Sequence, residues 1–122
     1  MHIEELRNYC LSKPEATEDF PFDNDTLVFK IRGKIFAVTS LQKWESGDRS
    51  ITLKCYPKKA IEYREKYPEE VLPGYHMNKK HWNTVVVDGF QLSQKKIQYF
   101  INHSYELVVS KLPKSQSNNL LT

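Results

Sequence analysis

The sequence predicts an α+β domain: an antiparallel sheet of four to five strands with three helices, in the order α-(β)-β-β-β-α-β-α. Two alternating runs, Thr26 to Ile31 and Lys34 to Thr39, are joined only by the tight turn Arg32-Gly33, and strands joined so closely pair antiparallel. Three other segments carry apolar residues at helical spacing, each with one apolar stripe. All three are therefore expected on one face of the sheet, with the other face partly wet. A length of 122 residues, without internal repeat or long linker, fits a single domain over 1–112 and a flexible tail over 113–122.

Ile3, Leu6, Tyr9 and Cys10 recur at helical spacing behind Glu4 and Glu5, whose charges suit a helix N-terminus, which gives a helix from about residue 2 to Ser12. Lys13-Pro14 ends it, because proline pushes the preceding residue out of the α region. In the acidic stretch that follows, Thr17 to Phe20 reads as a short edge strand and Phe20-Pro21-Phe22 as a lid on the core. The hairpin comes next. It buries Leu27, Phe29 and Ile31 on one face and gathers Lys30, Arg32 and Lys34 near its tip.

Ser40 to Arg49 reads as a polar connection, and Ser50 to Cys55 as a strand alternating Ile51, Leu53 and Cys55 against Thr52 and Lys54. Pro57 then opens a helix over about Lys58 to Tyr67, which Pro68 stops. A strand entered at Trp82 runs through Val85-Val86-Val87, and Asp88-Gly89 turns the chain. Ser93 caps the last helix, whose stripe is Ile97, Phe100, Ile101, Ser104, Tyr105, Val108 and Leu112, and Pro113 ends it.

Composition narrows the function classes. With 39% hydrophobic and 27% charged residues the chain is globular rather than disordered. No apolar run approaches the ~20 residues of a membrane helix, so no membrane partner is expected. Met1-His2-Ile3-Glu4-Glu5 lacks the features of a signal peptide, and Cys10 and Cys55 stand far apart, so a cytoplasmic protein with reduced thiols is expected. The net charge of +3 is uneven. Residues 1–25 hold seven acids and two bases, a net of −5, and the remainder 16 bases and eight acids, a net of +8. A basic body attracts phosphate whatever the base sequence.

Pro73 to Trp82 concentrates the chemistry: two histidines, two lysines, a tyrosine and a tryptophan follow a Pro-Gly turn. The bland alternative is that Tyr75 and Trp82 cap the core while the lysines are solvated. His76 and His81 are five apart, which suits no helical ligand pair, and the glycines at 33, 47, 74 and 89 form no phosphate loop, so no metal or cofactor is expected. His103 and Ser104 are adjacent on a helix and face different directions, so they form no relay, and no catalytic residue is expected. Binding has more support. Lys54, Lys58 and Lys59 flank one strand end, and Lys79 and Lys80 precede another. If those strands are neighbours, the lysines converge with His76, His81 and Trp82 into a patch where cations position phosphates and rings contact sugar or base.

Asp19-Phe20-Pro21-Phe22, Gly33-Lys34-Ile35-Phe36-Ala37, Leu53-Lys54-Cys55, Pro73 through Trp82 and Ser104-Tyr105-Glu106-Leu107-Val108 together resemble the MmcQ/YjbR family of small bacterial proteins. The resemblance runs to about Leu112. It implies an α+β fold of the CyaY-like, or double-wing, kind and a DNA-binding role assigned by analogy of fold. It supplies no catalytic residues. Its lysine-histidine-tryptophan segment falls on Lys79, Lys80, His81 and Trp82, while the acidic first quarter departs from a simple basic DNA binder and confines any such contact to one face.

The leading expectation is a DNA-binding module contacting phosphate through Lys54, Lys58, Lys59, Lys79 and Lys80, with His76, His81 and Trp82 beside them. The alternative is a protein-interaction or small-ligand module using the His76–Trp82 loop, and a third is an enzyme whose site assembles only in three dimensions. Convergent lysines favour the first, and an apolar cleft walled by Tyr75 and Trp82 the second.

Overall fold

A computed structural model describes residues 1–115. In chain order its elements are α1 (Ile3–Leu11), β1 (Ala16–Asp19), β2 (Thr26–Ile31), β3 (Lys34–Ser40), α2 (Leu41–Glu45), β4 (Ser50–Lys54), α3 (Pro57–Lys66), β5 (Val71–Pro73), β6 (Trp82–Val86) and α4 (Gln94–Ser110). The α+β class and the expected order hold, with two additions. The stretch read as a polar connection contains α2, which turns Trp44 into the core, where its Nε1 donates to Thr39 Oγ1 at 2.8 Å. The three-residue β5 adds an edge strand, where Pro73 costs no central ladder bond. Of the tail expected over 113–122, residues 116–122 lie outside the described residues.

The six strands form one antiparallel sheet in the order β1-β2-β3-β4-β6-β5. One face carries Leu27, Phe29, Ile31, Ala37, Ile51, Leu53 and Val85 and packs against Leu6 and Cys10 of α1 and Ile97, Ile101 and Tyr105 of α4. Burying this many large apolar side chains, at about 1.5–3 kcal/mol each, is what holds the helices to the sheet. The register slips between Phe29 and Lys30, so Phe36 is an extra residue in β3 and enters the core beside Ala37. The opposite face presents the cross-strand row Val28, Val38, Thr52 and Thr84.

The centre of the sheet is its least regular part. β3 and β4 pair over only two positions, Ala37 with Leu53 and Val38 with Thr52. The next pair in that register would be Phe36 with Lys54, but the hydroxyl of Ser104, reaching from α4, stands between them. It accepts the Lys54 N–H at 2.9 Å and donates to the Phe36 carbonyl at 2.5 Å. At the other end Thr39 Oγ1 donates to the Ser50 carbonyl at 2.6 Å. Two side-chain hydroxyls thus close a seam that the backbone ladder leaves open.

The acidic first quarter is absorbed at the β1 side of the fold. Glu15 pairs with Arg32 at 2.8 Å, Glu18 with Arg7 at 2.7 Å and Asp19 with Lys30 at 3.6 Å. Asp23 and Asp25 accept backbone N–H groups of Asp25, Thr26 and Gln42. Phe20 and Phe22 are 42% and 66% exposed, so the expected lid on the core is not formed: the core is already closed by α1 and α4.

Ser104→Ala leaves the Lys54 N–H and the Phe36 carbonyl without their shared partner. Urea denaturation is expected to show a loss of about 1–3 kcal/mol, the cost of unsatisfied buried polar groups.

Candidate functional site

Three of the eight residues that the sequence singles out, Lys54, His76 and Trp82, line two hollows at the sheet, divided by Met77, which lines both. The smaller, about 340 Å³, lies where the seam splays. β4 and β6 are neighbours, and their register sets Lys54 directly opposite Trp82. Around that pair stand Lys34 from the hairpin tip and Lys111 from the end of α4, and among the described residues no acid lines the hollow. Among the described residues none of these three lysines forms an ion pair, whereas Lys30 and Arg32 of the same hairpin are held by acids. Trp82 is half-buried and forms one wall.

The loop between β5 and β6 is built to a fixed shape. Gly74 lies so near Trp82 that a Cβ on it would come within 2.7 Å of the Trp82 Cβ, so only glycine fits without displacement. Its N–H donates to the Trp82 carbonyl at 2.9 Å. Arg64 reaches from α3 to the Asn83 side chain at 2.6 Å and also donates to the carbonyls of Lys79 and Trp82. Asn83, itself buried, donates to the Ala60 carbonyl at 3.3 Å. The sequence marks neither Arg64 nor Asn83 as anything but a helix and a strand residue.

The other expected site residues are more dispersed. The Lys79 ammonium donates back to the Gly74 carbonyl at 3.3 Å, and Lys80 is exposed at the loop. Lys58 and Lys59 are exposed in the first turn of α3, with Lys59 3.4 Å from Glu62. His81 contributes its carbonyl to the Cys55 N–H at 2.8 Å. His76 turns away to the second hollow.

That hollow, about 680 Å³, is floored by Val38, Thr52 and Thr84 and walled by α2 on one side and Tyr75 to Met77 on the other. The Lys43 ammonium sits 3.6 Å above the Tyr75 ring, which is 4.0 Å from the His76 ring. His76 holds φ +58°, a left-handed conformation costing about 1–2 kcal/mol for an L-residue. Tyr75 is 55% exposed and does not cap the core, whereas Trp82 is half-buried and lines the smaller hollow together with Val108 and Leu112 of the core. Lys43 and Lys111 carry no sequence signal, since each is a single lysine whose place depends on the fold.

Nucleophilic chemistry is poorly served. Burial pushes the Cys10 thiol up to about 12 and the Cys55 thiol up to about 11. His103 accepts the Tyr56 N–H on Nε2 at 3.3 Å, and burial lowers its pKa. Among the described residues no group of three His, Cys, Asp or Glu side chains is placed to hold a metal ion, and no helix is long and apolar enough to cross a membrane.

Residues 11–107 match the YjbR family model. The chain is 39% identical to the uncharacterised protein YbdF of Escherichia coli over 91% of this chain and 87% of the relative. It is 32% identical to the uncharacterised protein YjbR of Escherichia coli, over 99% and 98%. Among solved structures it is similar to protein DR2400 of Deinococcus radiodurans, a DUF419 domain, at a TM-score of 0.87 and 34% identity over 97% of this chain and 86% of the other. A Pseudomonas syringae protein aligns at a TM-score of 0.69 and 28% identity, covering 88% and 98%.

With both thiols held protonated, iodoacetamide labelling of the folded protein at pH 8 is expected to be at least about a hundredfold slower than in urea, and slower for Cys10 than for Cys55. Mass spectrometry of quenched samples reads this for Cys10 and Cys55 separately.

Proposed function

This chain belongs to the YjbR family, and we propose that it is a non-catalytic nucleic-acid-binding module that grips phosphate through the lysines around Trp82. The observation that carries this is the acid-free hollow with Lys34, Lys54 and Lys111 about a half-buried indole. Three ammonium groups that form no ion pair among the described residues attract a polyanion, and an aromatic wall adds contact that requires no particular base. Lys30 and Arg32 offset two of the −5 charges of the first quarter, and none of its seven acids lines the recess. Lys58, Lys59, Lys79 and Lys80 add exposed positive charge on neighbouring segments. The α4 C-terminus is a partial negative charge beside Lys111 and offsets part of its pull, so Lys34 and Lys54 carry the larger share. With its thiols protonated and His103 engaged, the protein works by binding in this reading, as a cytoplasmic protein.

A second reading has its own observation, the larger cleft over Val38, Thr52 and Thr84. Its volume of about 680 Å³ lies within the range of ligand pockets, and the strained His76 backbone at its edge is a feature that folding alone does not favour. It would make the chain a small-ligand module using Tyr75 and His76.

Fluorescence anisotropy of labelled DNA against salt tests the first reading. Three phosphate contacts give a slope of log K on log salt of about −2 to −3, a loss of roughly 20- to 40-fold between 50 and 200 mM. Lys34→Gln/Lys54→Gln is expected to flatten that slope by about 1.5 to 2, and Lys79→Ala/Lys80→Ala to change it less. Absence of binding at low salt would sink the phosphate reading and leave the cleft.

A further inference from the structure

We propose that the hollow at the splayed seam seats one unstacked nucleoside phosphate, its phosphate among Lys34, Lys54 and Lys111 and its base against Trp82. The inference rests on the nucleic-acid reading and narrows it from polyanions in general to an unpaired nucleotide.

The indole lies in a recess, between the hairpin tip at Gly33 and Lys34 and the end of α4 at Val108, Lys111 and Leu112. Inside a duplex, away from its ends, every base face is covered by its neighbours, and the phosphates lie on the outside of a stiff rod. Such a rod can touch the rim lysines but cannot bring a ring to a recessed indole. A nucleotide at a strand end, in a single strand, or free in solution has an open π-face and reaches it. The recess, at about 340 Å³, is at the small end of ligand pockets, which suits a single nucleotide.

The charges agree with that geometry. Lys54 and Trp82 are cross-strand partners on one face, so the ammonium and the indole start from adjacent backbone positions. Lys34 approaches from the neighbouring strand β3, across the gap that the Ser104 hydroxyl bridges. Lysine ammoniums are mobile point charges, suited to a phosphate whose orientation is not fixed in advance. Met77 supplies an apolar edge opposite and separates the recess from the larger cleft. Among the described residues no side-chain acid stands in the recess to compete for the lysines.

Tryptophan fluorescence of the full chain reads the site. Trp82 is at the recess, whereas Trp44, the other tryptophan, is buried beneath α2 and outside it. Four probes are titrated: deoxyadenosine monophosphate, deoxyadenosine, a 5′-phosphorylated single strand, and a duplex of the same sequence whose two ends are closed by non-nucleotide linkers. The expected result is quenching by the monophosphate and the single strand, with the monophosphate binding about tenfold tighter than the nucleoside, the advantage of a charge-assisted contact at a partly exposed site. Lys54→Gln and, separately, the exposed Lys34→Gln are each expected to reduce that advantage, while the quenching amplitude at saturation persists and shows the fold intact. Equal binding and quenching by duplex and single strand, or no advantage for the phosphate, overturns the proposal. If salt-dependent DNA binding then remains, the broader phosphate reading survives it. If no probe binds, both fall. Binding of the free monophosphate but not of the single strand assigns the recess to small nucleotides; quenching by both assigns it to strand ends as well.

Discussion

One hydroxyl bridges the two central strands of the sheet. Ser104 stands between β3 and β4 where their two-position ladder ends, accepting from Lys54 and donating to Phe36. A buried hydroxyl is tolerated there because both of its hydrogen-bonding capacities are used. The consequence is mechanical. α4 is tied to the middle of the sheet, the two central strands diverge beyond Ala37 and Leu53, and the recess with Lys34, Lys54 and Trp82 opens at the divergence. The bulge at Phe36 belongs to the same device, since it shifts β3 by one residue just before the gap.

The second constraint is the fixed β5–β6 loop. Arg64 and Asn83 tie it to α3, and Gly74 lets it lie against Trp82. A loop whose carbonyls are already engaged loses little entropy when a ligand arrives, which favours binding on a preformed surface. The same rigidity sustains the left-handed His76, a conformation that a free loop would relax. Two hollows of different character therefore share one face. The recess is cationic and acid-free, and the cleft beyond Met77 is mixed, with Asp23 and Asp25 beside Lys43.

Much of the fold was legible because its signals are local. The two-residue turn at Arg32-Gly33, the prolines at 14, 57, 68 and 113 and the stripe of α4 each state their structure within a few positions. α2 and β5 escaped because five and three residues are too few to show a period, and Trp44 looked like one ring in a polar stretch. Phe20 and Phe22 misled for the opposite reason: apolar residues around a proline suggest burial, but the core was already full. The recess was half legible. Lys54, Trp82 and the hairpin lysines were marked by sequence, but which hairpin cation stays free depends on Glu15 and Asp19 lying beside Arg32 and Lys30, a matter of strand register. Ser104 read as a neutral member of an apolar stripe, and nothing in its neighbours announces the strands that it separates.

The most direct measurement is an amide and indole NMR map of the protein titrated with a 5′-phosphorylated single strand at low salt. Shifts centred on the Trp82 indole N–H and the amides of Lys34, Lys54 and Lys111, fading as salt rises, are what the splayed-seam account predicts. Shifts confined to Val38, Thr52 and His76, or none at any concentration, would contradict it.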